Sequence, residues 1–141
     1  MNDTKQTGLE PALDDVAEFH SAVADAYPEG AECRGRPGLT RRRSRLQWIR
    51  DEVDELEEAI EANDVAAALD ALLDIIYFCI GTGIMWVGRR RMAKGWREVH
   101  RSNMDKRAQD GQIKVRASDG KIQKPDGWEG PRIEEIIEGD A

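Results

Sequence analysis

Two cysteines in 141 residues, Cys33 and Cys79, cannot build a disulfide framework. They point to a reducing, cytoplasmic setting. Aromatics are scarce at 6%, while 35% of residues are charged, which suits a small helical protein with solvated outer faces. No apolar run stands at the start, where Met1-Asn2-Asp3-Thr4-Lys5 is polar, so no signal peptide is expected. The longest apolar stretch, 71–87, falls short of the ~20 residues a membrane span needs, carries Asp74, and contains Gly81 and Gly83. No membrane association is expected from it. Basic excess is also lacking: the net charge is −7, which argues against a general nucleic-acid binder. No internal repeat is visible. The length fits one domain with a modest core, taken as 13–141 after a loose N-terminus over 1–12.

What the chain does have is helical periodicity. Leu13, Val16, Ala17, Phe19, His20, Val23 and Ala24 trace a first amphipathic helix over 13–26. A loop follows, punctuated by Pro28, Gly30, Gly35, Pro37 and Gly38. Thr40 is the expected N-cap of a second helix that runs to 62, before a turn at Asn63-Asp64. Leu46, Ile49, Val53, Leu56 and Ile60 predict its buried stripe. A third, strongly apolar helix spans 65–80, with Cys79 as a small core residue, and continues toward a break near Gly88. A fourth spans 89–104, with Met92, Trp96, Val99 and His100 on one side. Beyond Asp105 a tail of turns begins. In it, 113–115 and 121–123 predict a short hairpin around Ser118-Asp119-Gly120, and 131–138 a last short helix. The expected fold is all-α: a bundle of four to five helices with a turn-rich C-terminal tail. A lone bundle would leave much of Trp86, Val87, Met92 and Trp96 on the surface, so an oligomer is expected.

The chemistry gathers on acids. Asp70 and Asp74 stand in the most hydrophobic stretch of the chain, one turn apart on one helical face. Burying a carboxylate without a partner costs several kcal/mol or shifts its pKa. A metal ion, an Arg or Lys, or a shared proton would each answer that need. In the second helix, Glu52 and Glu55 flank the apolar stripe, whereas Asp51, Asp54 and Glu58 point to solvent. If the two helices pack antiparallel, four carboxylates converge, an arrangement from which helical bundles build metal sites. With only oxygen donors and no His or Cys at ligand spacing, the cluster favours Mg²⁺ or Mn²⁺. Arg41, Arg42, Arg43 and Arg45 open the second helix, where cations oppose the macrodipole. Solvation, phosphate contact and pairing with acids of a partner subunit all fit them. Trp48 suits stacking on a base, or an interface or core position. His20 and His100 read as packing residues.

An ordered series of motifs resembles a known family. Phe19-His20 is followed by Asp51-Glu52-Val53-Asp54-Glu55-Leu56, then Asp70-Ala71-Leu72-Leu73-Asp74-Ile75-Ile76-Tyr77, then Gly81-Thr82-Gly83. Val99-His100-Arg101-Ser102-Asn103-Met104-Asp105-Lys106 comes next, and Asp119-Gly120-Lys121 leads to Lys124-Pro125-Asp126-Gly127-Trp128. Over 16–137 the series resembles the MazG-type all-α nucleoside triphosphate pyrophosphohydrolases, in particular the phage-type and phosphoribosyl-ATP pyrophosphohydrolase-like branch. Some members of that branch cleave dUTP or other deoxynucleotides.

The resemblance implies a Mg²⁺-dependent enzyme, a dimer or tetramer, that cleaves a nucleoside triphosphate to a monophosphate and pyrophosphate, in housecleaning or in control of the nucleotide pool. Family members hold Mg²⁺ on Glu-x-x-Glu followed by Glu-x-x-Asp. Glu52, Glu55 and Asp74 match three positions; the fourth falls on Ala71, with Asp70 one residue earlier as a substitute. Glu55 is a candidate general base. Asn103, Lys106 and Lys124 resemble the family's nucleotide and phosphate contacts. The Ala71 departure leaves a second reading open: a nucleotide-binding or regulatory helical oligomer with weakened catalysis. A third is a small module whose acidic helix meets a basic protein.

Overall fold

The computed structural model describes residues 8–26 and 38–139. Five helices follow in order: α1 (Glu10–Ala26), α2 (Leu39–Glu61), α3 (Val65–Val87), α4 (Arg89–Met104) and α5 (Ile133–Glu138). Among the described residues there is no strand, only two isolated antiparallel bridges, Arg107 to Ile113 and Val115 to Ile122. The all-α expectation holds. The Pro28–Pro37 part of the expected loop, Cys33 and the first seven residues lie outside the described residues.

The α2–α3 hairpin is the main packing unit, and α1 lies across α3. Its turn is built locally. Asn63 takes a left-handed backbone (φ 53°), and the Asp64 side chain accepts a hydrogen bond from the Ala67 amide at 3.0 Å. Asp64 is thus the N-cap of α3, a bond worth about 1 kcal/mol. At the other end of α3, Gly88 has φ 85° and ψ 162°, which only glycine adopts without strain, and α4 starts one residue later. The core proper is small: Leu13 and Val16 of α1, Ile80 of α3 and Ala93 of α4, with Leu9, Ala12, Ile84 and Met92 packed around them.

Several sequence expectations need correction. The first helix begins at Glu10, three residues early, because Pro11 falls in the first turn, where its missing N–H costs nothing. Leu9 and Ala12 pack on the core, so the loose N-terminus does not reach residue 12. Thr40 is not the N-cap of α2. That helix starts at Leu39 behind Gly38 without a side-chain cap, and the Thr40 carbonyl accepts from the Ser44 hydroxyl at 3.1 Å. The third helix, by contrast, continues as expected through Gly81 and Gly83 to Val87 and breaks at Gly88, and both glycines receive side chains from neighbours. Met92 packs on Gly83, and Arg45 and His20 on Gly81.

The largest correction concerns the α2 stripe. Leu46, Val53 and Ile60 are exposed, Ile60 to 65%. The face that meets α3 is rotated from them and contains Arg45, Glu52 and Ala59, repeating every seven residues. On α3, Val65, Leu69, Leu72, Leu73 and Ile76 are likewise exposed, and so is Cys79. His100 is exposed rather than packed. α3 is also, by length and composition, long and apolar enough to cross a membrane. At 23 residues it exceeds the apolar length expected from the sequence, and Asp70 and Asp74 are what set this helix apart from a lipid-facing one. The tail keeps its expected hairpin as a single bridge, and α5 forms inside 131–138.

Candidate active site

Antiparallel packing of α2 on α3 decides which side chains meet. Arg45 reaches Phe78 and Thr82, so two turns further along α2 Glu52 comes level with the Asp70–Asp74 turn of α3. The electrostatics agree. The Glu52 carboxyl is pushed up from its ordinary value by burial first, then by the negative charges of Glu55, Asp74, Asp70 and Asp51. Its Oε2 is sealed from solvent and has no hydrogen-bond partner among the described residues. The four carboxylates expected from the sequence are thus brought together, with Glu52 half-buried at the back and Glu55, Asp70 and Asp74 exposed in front. Ala71 is buried beneath α2 and offers no oxygen.

The hairpin is two-sided. Projected down each helix, the acids occupy one flank of the α2–α3 seam. Leu46, Val53, Ile60, Leu69, Leu72 and Ile76 occupy the opposite flank.

Among the described residues, no set of three or more His, Cys, Asp or Glu side chains is arranged as it stands to hold a metal ion. The donors nonetheless suit one. Every candidate ligand is a hard carboxylate oxygen, and the orphaned Glu52 Oε2 lacks the positive partner that burial calls for. Exposed like charges on one flank hold each other apart until a cation joins them. The residues therefore fit a hard divalent cation.

Aromatic rings border the acids. Trp48 lies one turn before Glu52, and Phe78 one turn after Asp74. Their centroids are 5.8 Å apart, and the Arg45 guanidinium lies over both rings, at 5.4 and 5.9 Å. Trp48 is 39% exposed and lines a groove of about 370 Å³ with Gly38, Leu39, Thr40, Arg41 and Ser44. Arg45 is buried, which excludes the solvated role open to it from sequence. Its Nε donates to Thr82 Oγ1 at 2.8 Å and its NH2 to the Phe78 carbonyl at 3.3 Å. Arg42 lies over the Trp86 ring at 5.3 Å. His20 packs beside Gly81, and its pKa is lowered by burial and then by Arg45, so it is neutral near pH 7.

Asn103, Lys106 and Lys124 form a second cluster at the end of α4. Lys106 Nζ donates to Asn103 Oδ1 at 2.7 Å, and the Lys106 and Lys124 ammoniums stand over the Trp128 ring at 5.3 and 4.5 Å. The Trp128 indole N–H donates to the Ser102 carbonyl at 2.8 Å, docking the tail on the buried Ser102. Among the described residues, no hydrogen bond or ion pair joins this cluster to the carboxylates. Trp128, the platform for both lysines, had no assigned role in the sequence reading. The signal was its place four residues after Lys124. The burial of Arg45 was legible only in the glycine at position 81, which leaves room for it.

The family model for phosphoribosyl-ATP pyrophosphohydrolase matches residues 16–103, well over half of the chain. The chain belongs to that family, of the MazG-like all-α type, and is thereby a pyrophosphohydrolase acting on a nucleotide triphosphate. Among curated proteins none matches the chain.

Proposed function

We propose that this chain hydrolyses canonical or modified nucleoside and deoxynucleoside triphosphates to the monophosphate and pyrophosphate, in the cytoplasm, as housecleaning or pool control. The observation that supports this most is the half-buried Glu52, with an orphaned oxygen, amid Glu55, Asp70 and Asp74. Glu52, Glu55, Asp70 and Asp74 would hold Mg²⁺, or Mn²⁺ in its place, with Asp70 serving where Ala71 cannot. A divalent cation bound there supplies charge neutralisation for the polyphosphate and a more acidic water.

The remaining roles fall to side chains. Glu55, the exposed member of the α2 pair, is placed to take a proton from the attacking water. That water adds to the α-phosphorus, the bond to the bridging oxygen breaks, and pyrophosphate leaves with the electron pair. Lys106 and Lys124 neutralise the departing phosphates, and Asn103 offers an amide that both donates and accepts. Trp48 offers a face for the base, and its groove lies within a nucleotide's reach of the acids, because one helical turn advances about 5.4 Å.

The exposed aliphatic flank is covered by a second copy. Contiguous apolar surface of that extent marks an interface, and a two-fold pairing through it turns both acid flanks outward. A second reading, a binding protein with weakened turnover, is favoured by Ala71 and by side chains not yet arranged around an ion. Chromatography after incubation with Mg²⁺ and a panel of triphosphates separates the two. Monophosphate and pyrophosphate support the enzyme; diphosphate with orthophosphate contradicts it; nucleotide binding without products selects the second reading.

A further inference from the structure

The tail carries a hairpin that stands exposed among the described residues. Arg116 N donates to the Lys121 carbonyl at 2.7 Å and Gln123 N to the Lys114 carbonyl at 2.8 Å, while Gly120 closes the turn with φ 72°. Ile113, Val115 and Ile122 fall on one face, since 113 and 115 lie two residues apart and 115 bridges 122. All three are exposed. An isolated two-stranded hairpin is marginal in water, so a bare apolar face on one calls for a partner. On the rim Lys114 pairs with Asp110 at 3.4 Å and Arg116 with Asp119, which leaves Lys121 and Lys124 as the cations offered outward.

Charge is segregated along this chain to match. Residues 89–132 hold thirteen Lys or Arg against six Asp or Glu, whereas residues 51–74 hold ten Asp or Glu and no Lys or Arg. Beside Asp74, the acid flank carries its own uncovered apolar patch. Phe19 and Tyr77 meet edge to face at 5.8 Å, and both are exposed, as is Val23. Within one chain the hairpin does not lie on this patch, because Glu55, Asp70, Asp74, Tyr77 and the whole of 113–124 stand exposed.

We propose that the 113–124 hairpin of one copy docks on the acid flank of a second copy. Ile113, Val115 and Ile122 seat against Phe19, Val23 and Tyr77, and Lys121 and Lys124 come beside Asp70 and Asp74. Each site is then completed by a neighbour's lysines. That role for the lysines rests on the hydrolase reading above; the docking does not.

The test needs no turnover. Full-length protein carrying ¹⁴N is mixed with full-length protein carrying ¹⁵N, left to exchange subunits, treated with a zero-length carbodiimide cross-linker and digested. Peptides that join Lys121 or Lys124 to Asp70, Asp74 or Glu55 in mixed-isotope pairs are expected. They should be lost in Ile122→Asp while its helical circular dichroism is kept. Same-isotope pairs alone, no such peptides, or mixed pairs that survive Ile122→Asp would each overturn the proposal. If the cross-links form and no triphosphate is hydrolysed, the docking stands and the enzymatic reading falls.

Discussion

Replacing Glu52 by Gln should stabilise the protein when no divalent cation is present, while removing activity. Glu52 is half-buried, one of its oxygens has no partner, and burial and four neighbouring acids all disfavour its charge. Gln keeps the shape and removes the charge, but leaves one polar atom unpaired, so only part of the penalty is recovered. A net gain of about 1 kcal/mol follows from the usual range for unsatisfied buried groups. For a domain of this size that corresponds to a rise in Tm of roughly 3–6 °C.

The sign with pH follows from the raised pKa. Above the folded pKa, Glu52 is ionised in both states and its penalty is complete. As pH falls through that value toward 4.5 the folded state takes up the proton first, and the penalty fades. The gap between wild type and Glu52→Gln in EDTA should therefore close as pH is lowered. His20 acts in the opposite sense in both proteins and cancels in the comparison. Its pKa is lowered, so acidification through 6.5 destabilises the fold. Added Mg²⁺ should raise the Tm of wild type and leave that of Glu52→Gln nearly unmoved. A Tm that falls on substitution in EDTA, or an equal Mg²⁺ response in both proteins, would refute the reasoning.

Three further outcomes are expected. Asp70→Ala should weaken Mg²⁺ binding as much as Asp74→Ala does, by calorimetric titration; intact affinity would leave a site of three carboxylates. Gly81→Ala should destabilise by about 1–3 kcal/mol, read by denaturant melts, because a Cβ there would lie 2.6 Å from the Arg45 guanidinium and 2.8 Å from His20 Nε2. An unchanged midpoint would show that both side chains yield freely. Val53→Asp, on the flank opposite Glu55, Asp70 and Asp74, should lower the mass of the assembly by light scattering, and a wild type already at 15.9 kDa would remove the proposed interface.

Much of this molecule was legible in its sequence, for identifiable reasons. The helix ends at Glu61 and Val65 follow from Asn63-Asp64, that at Val87 from Gly88, and that at Met104 from the loss of periodicity after Asp105. The i, i+4 spacing of Asp70 and Asp74, and Glu52 beside the seam, were enough to place four acids together. What periodicity could not give was the phase of α2. An apolar stripe marks the face that avoids water, not whether α3 or a second chain covers it. The pattern therefore puts Leu46, Val53 and Ile60 inward and Arg45 and Glu52 only at the edge, whereas the buried face carries Arg45 and Ala59, with Glu52 half-buried between them. Cys79 stands exposed rather than in the core for the same reason, since an all-round apolar helix in a small domain does not bury every side. The Lys106–Trp128–Lys124 stack joins residues across a turn whose geometry no periodicity describes.

The most direct measurement is calorimetric titration of wild type, Glu52→Gln and Asp74→Asn with a nonhydrolysable nucleoside triphosphate, each with Mg²⁺ and with EDTA. The account predicts binding by wild type only when Mg²⁺ is present, and its loss in both variants while their helical content is kept. Equal binding with and without the cation, or undiminished binding by Asp74→Asn, would contradict the assignment of the carboxylate flank as the site where this chain meets its substrate.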